Sequence, residues 1–208
     1  MLSSCSPTDT LSDVGNMSNS KHTNSLYNET ANQEIGNTTV KLIGDRETVR
    51  ISSTNLGNLT ADAIKSYTSA DIAIIQSGAI RNSIETGAIK GSDVLKALPF
   101  DNRVMTIEAT GAKIKEALEN AVSAYPELDG RFPQVSGITF KFSPDAPFNS
   151  RVSDIMFGNT KLDSEKTYTL AINDYIFGGG DMYNMFENCT VLNRYNDTFA
   201  GVLIKYLC

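Results

Sequence analysis

The chain holds a single histidine, His22, among its 208 residues. Histidine is the commonest transition-metal ligand and the usual general base near neutral pH. A His-rich dinuclear metal centre therefore cannot be built from this chain. Cysteine is almost as scarce: Cys5, Cys189 and Cys208 lie far apart, with no zinc pattern and no Cys-x-x-Cys redox motif. A Cys189–Cys208 bridge and unpaired thiols both fit that spacing, so the cysteines do not assign a compartment. Long apolar runs are absent too. No stretch approaches the roughly 18–20 residues needed to cross a bilayer, and mean hydropathy is −0.20, which excludes a helical membrane span. Positive charge is in deficit, with 18 Lys and Arg against 24 Asp and Glu and a net charge of −6. That argues against nucleic-acid binding through a broad basic face. It leaves room for a small anion held by two or three placed arginines.

What remains is ordinary globular composition, 40% hydrophobic and 20% charged, in a length that suits one domain. Residues 1–45 stand apart. Ser, Thr and Asn dominate them and apolar periodicity is missing, so they read as a polar leader or linker. Leu2-Ser3-Ser4-Cys5 fits the short pattern before a lipidated cysteine, although no apolar signal segment precedes it. It reads either as a trimmed lipoprotein start or as a chance match.

From about Arg46 the pattern is periodic. Leu56, Leu59, Ala63, Ile64 and Tyr67 mark a helix behind a Ser53-Thr54-Asn55 cap, and Ile72-Ala73-Ile74-Ile75 marks a buried strand. A short helix over 94–98 behind Ser92-Asp93 ends at Pro99. A strand over 104–109 leads to a helix capped by Thr110, with Ile114, Ala117, Leu118, Ala121, Val122 and Tyr125 on one face and Pro126 as its stop. Alternation at Ile138, Phe140 and Phe142, and at Tyr168, Leu170 and Ile172, predicts two half-buried strands. A strand over 152–157 ends in a Gly158-Asn159 turn, and the last strand runs into Phe177-Gly178-Gly179-Gly180-Asp181. A terminal helix from about Asn196-Asp197 buries Phe199, Val202, Leu203 and Tyr206. The fold class is α/β, a mixed sheet with packed helices, over residues 46–208.

Loops leaving buried strands are the usual ligand positions in such folds. Gln76-Ser77-Gly78-Ala79-Ile80-Arg81 offers a close backbone approach at Gly78 and a forked donor at Arg81, or else is a tight turn with a surface arginine. The triple glycine before Asp181 either presents that carboxylate to hydroxyls or is a plain connector. Phe100, in Leu98-Pro99-Phe100, and Tyr175 can clamp a planar base at about 1–3 kcal/mol per base, or belong to the core. No catalytic set, P-loop or dinucleotide fingerprint is present, and no acid/base pair can be sorted out of the carboxylates.

In order along the chain stand Thr54-Asn55-Leu56-Gly57-Asn58-Leu59 with Ala61-Asp62-Ala63-Ile64, Ser77-Gly78-Ala79-Ile80-Arg81, Leu98-Pro99-Phe100, Gly130-Arg131-Phe132-Pro133-Gln134-Val135-Ser136-Gly137, and Asn173-Asp174-Tyr175 with Gly179-Gly180-Asp181. Together they resemble the C-terminal domain of the 5′-nucleotidase family, which includes UDP-sugar hydrolases and 2′,3′-cyclic-nucleotide phosphodiesterases. The resemblance implies that Phe100 and Tyr175 sandwich the base, that Asp181 accepts from the ribose hydroxyls, and that Arg50 and Arg81 approach ribose and phosphate. Gln76 stands where many relatives carry Asn, and Tyr175 where Phe is common. Tyr175 is expected to keep the stacking face. Gln76, Gly78, Gly179 and Gly180 complete the expected ligand set.

In that family a separate metallophosphoesterase domain carries two divalent metals and hydrolyses the substrate. Its Asp-x-His and Gly-Asn-His-type motifs have no match here. The chain is accordingly expected to hold no cofactor or metal, to carry no catalytic residue, and to serve as the substrate-specificity half of a nucleotide phosphohydrolase. Its partners would be a nucleotide or nucleoside and a metallophosphoesterase domain or subunit, and its location the cell envelope, with Cys5 as a candidate lipid anchor. A stand-alone nucleoside-binding envelope protein and a structural remnant are the alternatives.

Overall fold

The computed structural model describes residues 31–208. Cys5 and His22 lie outside them, as does most of the expected leader. Its end does not behave as a leader: β1 (Glu34–Thr38) pairs antiparallel with β3 (Gly87–Lys90), and Ile35 is buried. The folded part therefore begins before Arg46. One buried residue in a polar pentapeptide, Glu-Ile-Gly-Asn-Thr, is too little alternation to show in the sequence.

A mixed sheet of five strands, in the order β10-β4-β9-β2-β5, forms the centre. Its members are β2 (Ile72–Gln76), β4 (Arg103–Thr110), β5 (Pro133–Ser136), β9 (Thr167–Asn173) and β10 (Val191–Thr198). β2 and β9 are parallel and the other pairings antiparallel. Alternate residues of β2 enter different cores. Ala73 and Ile75 pack with Leu56 and Ile64 of α2 (Asn55–Thr68) and Val202 and Leu203 of α6 (Phe199–Leu207). Ile72 and Ile74 pack with Ile114, Ala117 and Leu118 of α4 (Gly111–Ala121). With both faces covered, β2 reads as a continuous apolar run. The remaining elements are α1 (Arg46–Val49), α3 (Gly91–Ala97), α5 (Asp174–Phe177), and a small sheet of β6 (Ile138–Phe142), β7 (Val152–Phe157) and β8 (Thr160–Lys161).

The caps explain where helices start. Thr54 Oγ1 accepts from Gly57 N at 3.1 Å, and Thr110 Oγ1 from Lys113 N at 3.4 Å. α4 stops at Ala121, short of Tyr125, although Val122 and Tyr125 still pack into the same core. α3 starts behind Lys90 rather than Ser92, with the Asp93 carboxylate accepting from Lys90 N at 3.0 Å. The Tyr168–Ile172 strand is buried in the middle of the sheet, not half-buried. It ends at Asn173, and the turn of α5 separates it from the glycines. Residues 191–198 form edge strand β10, so the terminal helix begins at Phe199, and Tyr206 on it is 49% exposed rather than buried. Cys189 is a free thiol, so no Cys189–Cys208 bridge forms.

Candidate functional site

One end of the sheet gathers four connections. β2 leaves at Gln76 and its parallel neighbour β9 at Asn173, while the antiparallel β4 and β5 enter beside them, after Asn102 and Phe132. These connections and α1 surround a cleft of about 560 Å³. Arg50, Gln76, Gly78, Arg81, Phe100, Tyr175 and Asp181 all line it, and Arg46, Asn102, Leu128, Asp129 and Gly130 complete the lining. Gly179 and Gly180, also expected there, are not among the lining residues.

The Asn173-Asp174-Tyr175 run shows how local chemistry builds the wall. Asn173 Oδ1 accepts from Ile176 N at 3.0 Å and starts α5. The Asp174 carboxylate accepts from Asn102 Nδ2 at 3.2 Å and Arg103 N at 3.1 Å. One side chain thus fastens the segment carrying Phe100 to the turn carrying Tyr175. Both rings reach the cleft while remaining 40% and 43% exposed. Behind Tyr175, a Cβ on Gly180 would sit 2.6 Å from the ring, so the missing side chain is what admits the aromatic. Tyr175 also does more than a phenylalanine could. Its hydroxyl donates to Asp181 Oδ1 at 3.0 Å, and burial together with that carboxylate raises its pKa.

The cleft also carries cations. Arg50 Nη1 donates to Leu128 O at 2.9 Å, while its buried Nε has no partner. Burial, then the charges of Arg46 and Arg81, lower the pKa of the Arg50 guanidinium. The carboxylates of Asp129 and Asp181 act in the opposite direction and offset part of that shift. The segment carrying it is fixed from β5. Fully buried Gln134 accepts from Thr54 N at 3.0 Å and donates to Val49 O at 3.0 Å and Ser52 O at 2.8 Å. Gly57 leaves room for this amide, since a Cβ there would lie 2.1 Å from Gln134 Oε1. The Arg81 guanidinium lies over the Phe100 ring, 4.9 Å from its centroid.

Two carboxylates face these cations. Burial would raise the pKa of Asp129, but hydrogen bonds from Arg131 outweigh it and hold the carboxyl below its ordinary value. Arg131 Nε reaches it at 2.9 Å. Gln76 is 3% exposed and its Oε1 has no partner, an uncompensated acceptor in the lining. This donor set does not fit a divalent metal pair. Asp129 is engaged by Arg131 and Asp181 by Tyr175, with guanidiniums beside them, and no group of three or more His, Cys, Asp or Glu among the described residues could hold a metal.

Residues 34–188 match the family model described as 5′-nucleotidase, C-terminal domain. The chain belongs to this family. The match begins where β1 begins, in agreement with the folded boundary. The domain is 36% identical over 168 residues to the trifunctional nucleotide phosphoesterase protein YfkN of Bacillus subtilis, covering 76% of this chain and 12% of that protein. It is 34% identical to a 5′-nucleotidase of Vibrio parahaemolyticus, over 85% of this chain and 30% of the relative. The crystal structure of a 5′-nucleotidase precursor from Thermus thermophilus superposes with a TM-score of 0.81 at 32% identity, over 88% of this chain and 38% of that one. The chain thus spans well under half the length of each of these relatives.

Sequence reading missed Arg46, Asn102, Asp129 and Gly130 in this 5′-nucleotidase C-terminal domain. Arg46 had a legible signal, because it stands four residues before Arg50 and so shares its side of a helical turn. Gly130 was inside a quoted motif. Asn102 and Asp129 are single polar residues in loops, with no periodicity to mark them.

Proposed function

We propose that this domain holds the nucleotide substrate of a 5′-nucleotidase-type phosphohydrolase. The observation that carries the reading is the convergence of two exposed rings, three arginines and two carboxylates in one cleft. Phe100 and Tyr175 stack on the base, and Asp181 accepts from the ribose hydroxyls. Arg50 and Arg81, with Arg46 beside them, meet the phosphate. Gln76 offers its amide to the base edge, Gly78 allows the close fit, and Gly180 acts indirectly by leaving room for the Tyr175 ring. Base entry exchanges the Arg81–Phe100 contact for stacking and frees the guanidinium for the anion.

Hydrolysis, in this reading, takes place on a metallophosphoesterase domain or subunit docked at the cleft mouth. Two divalent metals there would lower the pKa of the attacking water and stabilise phosphoryl charge. This chain binds and orients, and carries neither cofactor nor catalytic residue. A place in nucleotide catabolism at the cell envelope, periplasmic or extracellular, follows from the same resemblance, and Leu2-Ser3-Ser4-Cys5 adds Cys5 as a candidate lipid anchor. Among the described residues no helix is long and apolar enough to cross a membrane.

Calorimetric titration with adenosine, AMP and UMP tests the binding role. AMP should bind more tightly than adenosine, because only AMP meets the arginines. No heat with any of the three at millimolar ligand would overturn the proposal.

A further inference from the structure

Asp181 has φ 52° and ψ 30°, and Met182 after it has φ 64°. Two successive non-glycine residues in the left-handed region persist only where surrounding contacts over-determine them. Three such contacts hold this turn. Met182 N donates to Gly179 O at 3.1 Å and closes it locally. Tyr183 is fully buried against Phe186, and its hydroxyl donates to Arg131 O at 2.8 Å, anchoring the exit. The third contact comes from outside the cleft. Asn120 Nδ2, in the last turn of α4, donates to Asp181 O at 3.1 Å.

That carbonyl belongs to the peptide between Asp181 and Met182. Rotating this peptide by half a turn changes ψ of Asp181 and φ of Met182 together: it carries Met182 out of the left-handed region but moves Asp181, still at φ 52°, into backbone space that essentially only glycine adopts. Asn120 opposes the rotation, because a rotated carbonyl points away from Nδ2. Asn120 does not line the cleft, so any influence on ligand passes through the Asp181 backbone. The carboxylate at stake accepts from Tyr175 at Oδ1 and places Oδ2 3.5 Å from the Cβ positions of Gly78 and Gly130.

We infer that Asn120 is a positioning residue for ribose recognition: its amide holds the Asp181–Met182 peptide and keeps the Asp181 carboxylate aimed at the sugar hydroxyls. The inference rests on the nucleotide-binding reading of this cleft. It assigns α4, a helix that shares its core with Tyr183 and Phe186 but does not line the cleft, a part in choosing between ribosides and ligands without sugar hydroxyls.

The test is a double-mutant cycle on the full chain, titrated with adenosine and with 2′,3′-dideoxyadenosine. The quantity read is the ratio of the two affinities. Asp181→Ala should bring the ratio near one. Asn120→Ala should lower it about fivefold to tenfold, the scale of one well-placed hydrogen bond, while dideoxyadenosine binding stays at the parent value. Asn120→Asp keeps the size, removes the donor, and should lower the ratio as well. In the Asp181→Ala background, Asn120→Ala should change nothing further. A parent-like ratio in both Asn120 variants would overturn the inference, and so would equal weakening of both ligands or a loss that adds to that of Asp181→Ala. A parent chain that binds adenosine no better than dideoxyadenosine would instead remove the ribose role of Asp181, and the inference with it.

Discussion

Two concave regions flank strand β5, and the larger is the less promising. The strand-end cleft measures about 560 Å³, whereas the groove on the other side measures about 740 Å³ and is lined by Tyr125, Phe132, Phe140 and Phe142. Their polar groups differ in kind. In the groove, Ser136 Oγ donates to the Asp62 carboxylate at 2.5 Å, and the rings satisfy one another edge-on, with Phe142 5.1 Å from Tyr125 and 6.1 Å from Phe132. In the cleft, Arg50 Nε and Gln76 Oε1 are buried without partners, and two rings stand half-exposed. Unsatisfied buried polarity is costly, so it marks the place where the fold leaves room for something else to supply the partner. Volume alone does not.

The largest expected effect breaks the boundary between the two regions. Gln134 projects from β5 toward the arginine segment, while its neighbours Pro133 and Val135 line the groove. Gln134→Ala strands Thr54 N, Val49 O and Ser52 O, and should cost about 3 kcal/mol of stability, read by chemical unfolding. The same variant should lose the preference for AMP over adenosine. Stability equal to the parent would show that the clamp is dispensable.

A paired substitution sharpens the contrast. Phe100→Ala, in the cleft, should weaken adenosine by about 1–3 kcal/mol in calorimetry and leave the unfolding midpoint nearly unchanged. Phe142→Ala, in the groove, should lower stability by about 1–2 kcal/mol and leave adenosine affinity alone. If Phe142→Ala weakens the ligand as much as Phe100→Ala does, the two regions have been assigned the wrong roles.

The smallest effect concerns acid. The folded state holds the Asp129 carboxyl below its ordinary pKa of 3.8. Its contribution to stability is therefore present above the unfolded value and is lost as pH falls through the folded one. Asp129→Asn should flatten the acid limb of the stability profile below about pH 4, while Phe142→Ala should leave its shape intact. An unchanged limb in Asp129→Asn would place the acid-sensitive group elsewhere.

Much of this was legible in advance, for reasons that can be traced to particular residues. α2 and α4 announced themselves through apolar residues at helical spacing behind Thr54 and Thr110, and β2 through an unbroken apolar run. Other strands carried no such mark. β5 opens with a proline, as an edge strand can, and offers only four residues. β10 exposes most of its length, so burial imposed little alternation on it. At the site, Arg81, Tyr175 and Asp181 stood within a few residues of Gly78 or the Gly178-Gly179-Gly180 run, while Phe100 was marked only by the Leu98-Pro99-Phe100 motif. Asn102 and Asp129 had only their own chemistry to show.

The sequence by itself settled the class of fold, because burial on a helix or strand leaves a period, and its five motifs in order carried the resemblance to the 5′-nucleotidase C-terminal family that the match over residues 34–188 bears out. The tertiary structure alone decided which loops meet. Strand order and direction bring β2, β9, β4 and β5 to a common end, and that convergence turns an arginine near residue 50, an aromatic at 100 and a carboxylate at 181 into one cleft. Pairing between strands distant in the chain carries no local signature. The polar groups that this convergence brings to the cleft are guanidiniums, amides and engaged carboxylates, the set on which the proposed binding of an anion and a sugar rests.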